Sequence, residues 1–270
     1  MLVQMETGQP FLMPNKNKIL NNNDLSIHIF MDRFYFCTQS KIEYIPLLED
    51  PQDFHKTLIE YLDYHSKENF NAFSLISFHN PSTFVPLSFF NKSFCEDYLC
   101  LYKKTKDYEI VSYDTLEDYN QVNLYSFPQF ISKVLKKSKI KFGFHHYNTL
   151  LYKKILSLNS SNKFDYKIFI HLQIGAMDVF LLQKKCLKLN NCFKVSNTDD
   201  FLYYLFFVVE QFDIDTNNLE LNFLGKMKSF TPFYEAVEQY HTNINFIDKD
   251  INHISDTAVH HAPFLAKYFS

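Results

Sequence analysis

Residues 166–193 limit the possible folds of this chain more than any other stretch, because their apolar residues form short runs separated by turn signals. Apolar residues alternate along residues 168–172, and a second apolar run fills residues 177–182. Residues 173–176, which include Gly175, separate the two runs and are typical of a tight turn. Strands joined by so short a turn pair antiparallel, so the stretch predicts a β-hairpin.

A third strand candidate follows this hairpin. Lys184 and Lys185 break the apolar run, and Asn190 and Asn191 predict the next turn. The three segments together therefore indicate an antiparallel β-meander.

A similar meander is predicted near the start of the chain. Its strand candidates are residues 25–30, 34–39 and 41–47, and the first two are joined by the turn Met31-Asp32-Arg33. Patterns typical of helix, strand, helix and strand follow each meander. The sequence thus predicts a duplicated α/β architecture of two domains, each with a mixed sheet that begins in a β-meander and is flanked by helices.

The positions of the two meanders also predict the domain boundaries. Residues 1–23 lack periodicity and end in three consecutive asparagines, which predicts a loose leader. The first domain is expected over residues 24–160. The second is expected over residues 161–270, because its meander begins at Tyr166.

The four glycines of the chain exclude two common nucleotide-binding motifs. Gly8, Gly143, Gly175 and Gly225 lie far apart. A P-loop or a GxGxxG turn needs several glycines within a few residues, because backbone N–H groups must approach phosphate oxygens closely. A GxSxG nucleophile motif is excluded for the same reason.

Charge and hydropathy argue against two kinds of interaction, binding to nucleic acid and insertion across a membrane. The net charge of −3 gives no basic field, which argues against a nucleic-acid partner. The longest apolar run, residues 201–209, has about half of the roughly 20 residues that a membrane-spanning helix needs. We interpret it as part of a buried helix over residues 201–212, with core packing favoured over a partner surface.

The cysteines predict the compartment. Five cysteines without a CxxC pair, and an N-terminus without a signal-peptide pattern, favour a reducing cytoplasm.

Five stretches of the sequence resemble one known family. They are residues 25–38 (LSIHIFMDRFYFCT), 77–90 (SFHNPSTFVPLSFF), 122–128 (VNLYSFP), 169–182 (FIHLQIGAMDVFLL) and 219–227 (LELNFLGKM). In their order and spacing they resemble the uncharacterised Bacteroidetes domain of unknown function 3822, which has an actin-like ATPase fold of the ribonuclease H-like type. The resemblance implies this fold from Asp24 to about Ile247, and it implies no particular activity.

The resemblance also implies the place of a nucleotide cleft. Proteins of this fold hold nucleotide between two domains, where the meander turns wrap the phosphates and a glycine-ended strand lies near the adenosine. The positions that correspond are Asp32 and Arg33 in the first turn, Gln173 and Gly175 in the second, and Gly225 after the strand. Working turns combine glycines with carboxylates that hold Mg²⁺, and both turns here are depleted of them. The resemblance therefore implies a remnant cleft without hydrolysis. Gly175 and Gly225 equally suit ordinary turns with positive φ, and for Asp32 and Arg33 ordinary hairpin-turn chemistry is favoured over a phosphate-binding role.

Other polar residues raise further hypotheses. The pairs His145-His146 and His260-His261, with His253 and Asp256 near the second pair, are chemically suited to metal binding. Adjacent histidines rarely reach one ion, so no metal ligands are assigned. Asp165 and Asp178 are the nearest candidates for the base of a small-molecule kinase, but no catalytic residue is assigned.

The functional prediction is a non-catalytic, cytoplasmic actin-like scaffold or adaptor, a pseudo-ATPase that acts through protein–protein contacts. The alternative is a nucleotide-binding protein or weak ATPase that uses ATP and Mg²⁺ in the remnant cleft. The predicted partner is a protein of unknown identity, and homodimerisation remains an open alternative.

Overall fold

The computed structural model describes residues 24–30, 33–38, 41–46, 51–65, 70, 72–79, 81–137, 143–159, 163–247 and 260–268. These residues divide into two compact units, of which the first ends at Leu150 and the second comprises Leu151–Tyr268. The division lies about ten residues before the boundary predicted at residue 160. The predicted leader, residues 1–23, lies outside the described residues.

The first unit contains eight of the described strands. Its elements in chain order are β1 (Asp24–Ile29), β2 (Arg33–Cys37), β3 (Ile42–Pro46), α1 (Pro51–His65), β4 (Ala72–Ser77), β5 (Ser82–Pro86), α2 (Cys95–Cys100), β6 (Glu109–Leu116), β7 (Gln121–Pro128), α3 (Gln129–Lys137), β8 (Gly143–His146) and α4 (Tyr147–Leu158), whose last residues belong to the second unit.

A five-stranded mixed sheet forms the centre of the first unit, with the order β3-β2-β1-β4-β8. The predicted meander forms its antiparallel half, and β4 and β8 extend the sheet in parallel with β1. Buried residues such as Ile27, Phe34 and Leu75 from the strands pack with Leu58 from α1 and Ile131 from α3. These helices cover the sheet because each presents an apolar stripe at helical spacing.

A smaller antiparallel sheet, with the order β5-β7-β6, lies within the first unit between β4 and β8 in sequence. Its own core contains Leu99 from α2 and Val111, Val122 and Leu124 from the strands. The sequence analysis did not predict this separate sheet.

The second unit repeats the arrangement of the first. After the last turns of α4 its elements are β9 (Tyr166–Gln173), β10 (Ala176–Gln183), β11 (Cys186–Lys194), α5 (Thr198–Gln211), β12 (Leu219–Leu224), α6 (Thr231–Glu238), β13 (Ile244–Ile247) and α7 (Pro263–Tyr268). The sheet order is β11-β10-β9-β12-β13, which has the same pattern as the first sheet. The predicted duplication of a meander followed by helix, strand, helix and strand is confirmed.

The sequence of α5 determines where this helix begins and which face it buries. The Asn197 side chain accepts a hydrogen bond of 2.8 Å from the Asp200 N–H, so it caps the first turn. Phe201, Leu205 and Val208 recur at helical spacing and are buried. The prediction of core packing is therefore correct for this face of the helix.

Two local predictions were wrong. Asn190 and Asn191 do not form a turn but lie inside β11, opposite Phe180 and Val179. The turn after β10 lies at Lys184, which takes a left-handed φ of 59°, because the hairpin register continues to Gln183 and leaves two residues for the turn. In the first meander, Arg33 is not a turn residue but begins β2, where it pairs with Pro46.

Candidate functional site

The β9–β10 turn is the predicted second phosphate turn, and it consists of Ile174 and Gly175. Gln173 pairs with Ala176 across it, and Gly175 has a positive φ of 77°. A Cβ atom on Gly175 would meet no heavy atom within 4 Å. The glycine is therefore required by the backbone conformation of the turn and not by close packing.

A buried pair of polar side chains lies beside this turn. His171 and Asp178 are directly opposite in the hairpin and both are fully buried. The Nδ1 atom of His171 lies 2.8 Å from Oδ2 of Asp178, and the Gln173 side-chain amide donates to the same oxygen at 2.5 Å. The carboxylate of Asp178 is therefore engaged by protein groups.

The C-terminal segment of the chain also contacts the turn. The backbone N–H of Ile174 donates a 2.9 Å hydrogen bond to the carbonyl oxygen of His261. Phe264 of α7 is almost fully buried, and its ring centroid lies 6.1 Å from that of His171. The Ile174 N–H is therefore already hydrogen-bonded within the protein.

The remaining predicted residue of the second unit lies at the same edge of the sheet. Because β9 and β12 are parallel neighbours, Gly225 after β12 and the β9–β10 turn share the edge where both strands end. Gly225 has a φ of 81°, and its N–H donates to the Ile247 carbonyl at 2.8 Å. The neighbouring Lys226 ammonium lies 4.6 Å from the centre of the Phe246 ring.

Of the two residues predicted for the first phosphate turn, the structure describes Arg33 but not Asp32. Asp32 lies outside the described residues. The guanidinium of Arg33 lies 5.8 Å from the centre of the Tyr44 ring on the adjacent strand β3, a cation–π distance. Arg33 belongs to the first unit, whereas Gln173, Gly175 and Gly225 lie at one edge of the sheet of the second unit.

The kinase and metal candidates have structural partners in the described part of the chain. Asp165 accepts a 3.0 Å hydrogen bond from the Asn218 side chain. The Nε2 atom of His146 lies 2.8 Å from the His79 carbonyl oxygen, and Nδ1 of His260 accepts from the Ala262 N–H. His253 and Asp256 lie outside the described residues.

Sequence reasoning missed a cluster of ionisable side chains around the buried Glu109 in the first unit. Glu109 accepts hydrogen bonds from the Lys103 ammonium at 2.7 Å and the Lys106 N–H at 3.1 Å, and its Oε1 lies 2.7 Å from His79 Nε2. Burial by itself raises the pKa of Glu109, but these hydrogen bonds outweigh it and hold the pKa below its usual value. Burial lowers the pKa of His79, and together with the charges of Lys103 and Lys106 it outweighs the opposing effect of Glu109, whose hydrogen bond and charge raise this pKa.

This cluster should make stability depend on pH. The folded state binds a proton at His79 less readily than the unfolded state, so stability is lost as the pH falls below the ordinary histidine pKa of about 6.5. The lowered pKa of Glu109 makes its contribution disappear at still lower pH, below about 4.3. We expect the free energy of unfolding from urea titrations to fall between pH 7.5 and pH 5.5, and to fall less in His79→Gln. An equal loss in both proteins would contradict the assignment to His79.

An exposed aromatic groove lies on the second unit, away from the buried face of α5. Its lining consists of Leu202, Tyr203, Phe206, Phe207, Glu210 and Tyr240, and its volume is about 320 Å³. Tyr203 is 63% exposed and Tyr240 is 66% exposed. The prediction of core packing therefore applies to only one face of this helix. α5 carries aromatic residues on two faces, and its sequence does not indicate which face the rest of the unit covers.

The fold and these sites define the class of protein. Two sheets of matching strand order, each begun by a meander and flanked by helices, form an actin-like ATPase fold. The chain belongs to the family described as "Protein of unknown function (DUF3822)", which matches residues 14–244. The resemblance inferred from the five sequence stretches is confirmed.

Solved structures of similar fold support this class. A Bacteroides thetaiotaomicron protein with an actin-like ATPase fold and unknown function is 19% identical over 86% of this chain and 93% of its own, with a TM-score of 0.67. The PilM–PilN type IV pilus biogenesis complex contains a chain that is 9% identical over 91% of this chain and 96% of its own, with a TM-score of 0.56. At these identities the similarity concerns the fold.

One further comparison is negative. No curated protein matches the sequence. Among the residues that the structure describes, no helix has the length and apolar character needed to cross a bilayer.

Proposed function

We propose that this protein is a non-catalytic member of the actin-like class that acts in the cytoplasm as a scaffold or adaptor through protein contacts. The observation that carries the proposal is the engagement of the second phosphate turn by the protein itself. The Ile174 N–H is bonded to the His261 carbonyl, and the Asp178 carboxylate is bonded within the hairpin.

This arrangement disfavours nucleotide hydrolysis for a physical reason. A phosphate turn binds through free backbone N–H groups, and a Mg²⁺ site needs carboxylate oxygens that can reach the ion. The Ile174 N–H would have to break its bond to His261 before it could contact a phosphate. The Asp178 carboxylate would likewise have to give up His171 and Gln173.

Two observations support protein contact as the alternative role. The groove on α5 exposes large aromatic side chains, which are enriched at protein interfaces. A chain of similar fold occurs in the PilM–PilN complex, so a protein of this fold can function as part of a protein assembly. The five free cysteines support a reducing compartment.

Thermal unfolding with and without millimolar Mg-ATP or Mg-ADP tests the proposal. We expect no change in Tm. A ligand present at 100 times its Kd would add about 2.7 kcal/mol of stability, which moves the Tm of a protein of this size by several degrees.

A clear rise in Tm would favour the alternative, a nucleotide-binding protein or weak Mg-ATPase. In that case Asp32→Ala and Gly175→Ala should each reduce the shift if the predicted turns hold the nucleotide. ATP turnover that disappears in Asp32→Ala would overturn the non-catalytic proposal.

A further inference from the structure

We propose that the aromatic groove on α5 binds a basic, partly apolar segment of a partner protein, in which Lys or Arg residues flank apolar side chains. This inference rests on the proposed role in protein contact and specifies the chemistry of the partner. It is carried by two properties of the same surface, its apolar lining and its charge.

The lining provides an apolar binding surface. Tyr203 and Phe207 are one helical turn apart on α5, with stacked rings whose centroids are 6.1 Å apart. Phe206 and Tyr240 also line the groove, and their rings form a T-shaped pair with centroids 5.8 Å apart. The volume of about 320 Å³ is at the lower end of the range for ligand pockets, which suits inserted side chains better than a whole cofactor.

The part of the chain that forms this groove is predominantly acidic. Residues 195–247, which include α5 and α6, contain eight Asp and Glu residues and two lysines, Lys226 and Lys228. The exposed acidic residues are Asp199, Glu210, Asp213, Asp215, Glu235 and Glu238. Glu210 itself lines the groove, and among the described residues no cation lies within ion-pair distance of its carboxylate.

This combination selects a cationic partner. Lys and Arg side chains gain attraction from the acidic residues, and their charged groups also bind to the faces of exposed aromatic rings such as Tyr203 and Tyr240. A nucleic acid or an anionic lipid surface would be repelled by the same charges. A symmetric dimer through this groove would place two acidic surfaces against each other, so a second copy of the chain is disfavoured.

The test uses the whole chain of residues 1–270 and a random peptide library displayed on phage. The library is selected on wild-type protein and counter-selected on the double variant Tyr203→Ala/Phe207→Ala. Both side chains are substantially exposed, so the double variant should keep the circular dichroism spectrum and Tm of the wild type. The matched control is Leu101→Ala/Tyr102→Ala, which removes two exposed apolar side chains from the first unit.

We expect the enriched peptides to combine Lys or Arg with apolar residues. For the best synthetic peptide, measured by fluorescence anisotropy, the groove variant should raise Kd at least about tenfold, and the control variant should leave it unchanged. Glu210→Lys, or replacement of each Lys and Arg of the peptide by Gln, should also weaken binding. Higher ionic strength should weaken it too, because salt screens exposed charges.

The outcomes separate this inference from the proposed function. Groove-dependent peptides without basic residues, or binding unaffected by Glu210→Lys, would overturn the cationic partner and leave protein contact standing. Dimerisation in analytical ultracentrifugation that Tyr203→Ala/Phe207→Ala abolishes would assign the groove to a second copy and overturn the inference. Absence of any groove-dependent peptide would overturn both the inference and the assignment of protein contact to this groove.

Discussion

Replacement of Asp114 by alanine is expected to lower the free energy of unfolding by about 3 kcal/mol, because a buried donor left without an acceptor costs about 1 to 3 kcal/mol. Asp114 is 5% exposed and accepts hydrogen bonds from the Tyr125 hydroxyl at 2.9 Å, the His146 N–H at 3.1 Å and the Thr149 hydroxyl at 2.6 Å. Alanine would leave all three donors in the protein interior without this acceptor.

The Tyr125 and Thr149 hydroxyls that donate to Asp114 are held by further interactions. Burial, together with the charge of Asp114, keeps the pKa of Tyr125 well above its usual value, so its hydroxyl remains a donor. The Thr149 hydroxyl also accepts from the Asn123 side-chain amide at 2.9 Å. Within the first unit, the network connects strands β6 and β7 of the smaller antiparallel sheet to β8 and the start of α4.

Urea unfolding of two further variants makes the test specific. Asp114→Asn keeps one acceptor oxygen and should lose less stability than Asp114→Ala. Asp118→Ala removes an exposed carboxylate two residues beyond β6 and should stay within about 0.5 kcal/mol of wild type. Equal effects of Asp114→Ala and Asp118→Ala would contradict the structural role of the network.

Phe264→Ala is expected to cost about 3 to 5 kcal/mol and to release the C-terminal segment from the second phosphate turn. Phe264 is 1% exposed, and its neighbours Ala262, Leu265 and Ala266 are fully buried. Truncation leaves a cavity that the surrounding side chains fill only in part, which adds to the lost apolar burial.

Two measurements check this expectation. Urea unfolding gives the stability, with Phe89→Ala as the control, because Phe89 is 75% exposed and its loss should have little effect. Amide hydrogen exchange reports the turn, since the Ile174 N–H is bonded to the His261 carbonyl. This amide should exchange faster in Phe264→Ala, whereas an unchanged rate at unchanged stability would show that α7 does not hold the segment on the turn.

The sequence alone determined the repeated order of elements in this protein. Strand periodicity is a local property, so residues 166–182 indicated a hairpin, as the structure has it. The absence of clustered glycines likewise excluded a P-loop and a GxGxxG turn without reference to tertiary structure. The pairing of His171 with Asp178 was also within reach, because each lies three residues from the two-residue turn.

Only the tertiary structure decided which polar groups are hydrogen-bonded within the protein and which aromatic residues remain exposed. The Ile174 N–H is bonded to a carbonyl 87 positions later in the chain, and Asp114 is bonded to a backbone N–H 32 positions later. No local pattern encodes such contacts, because they depend on how distant segments pack. The same reason applies to α5, where Phe201 is buried and Tyr203 is exposed although both are aromatic. Burial of an apolar side chain depends on what covers it, and the covering elements come from other parts of the sequence.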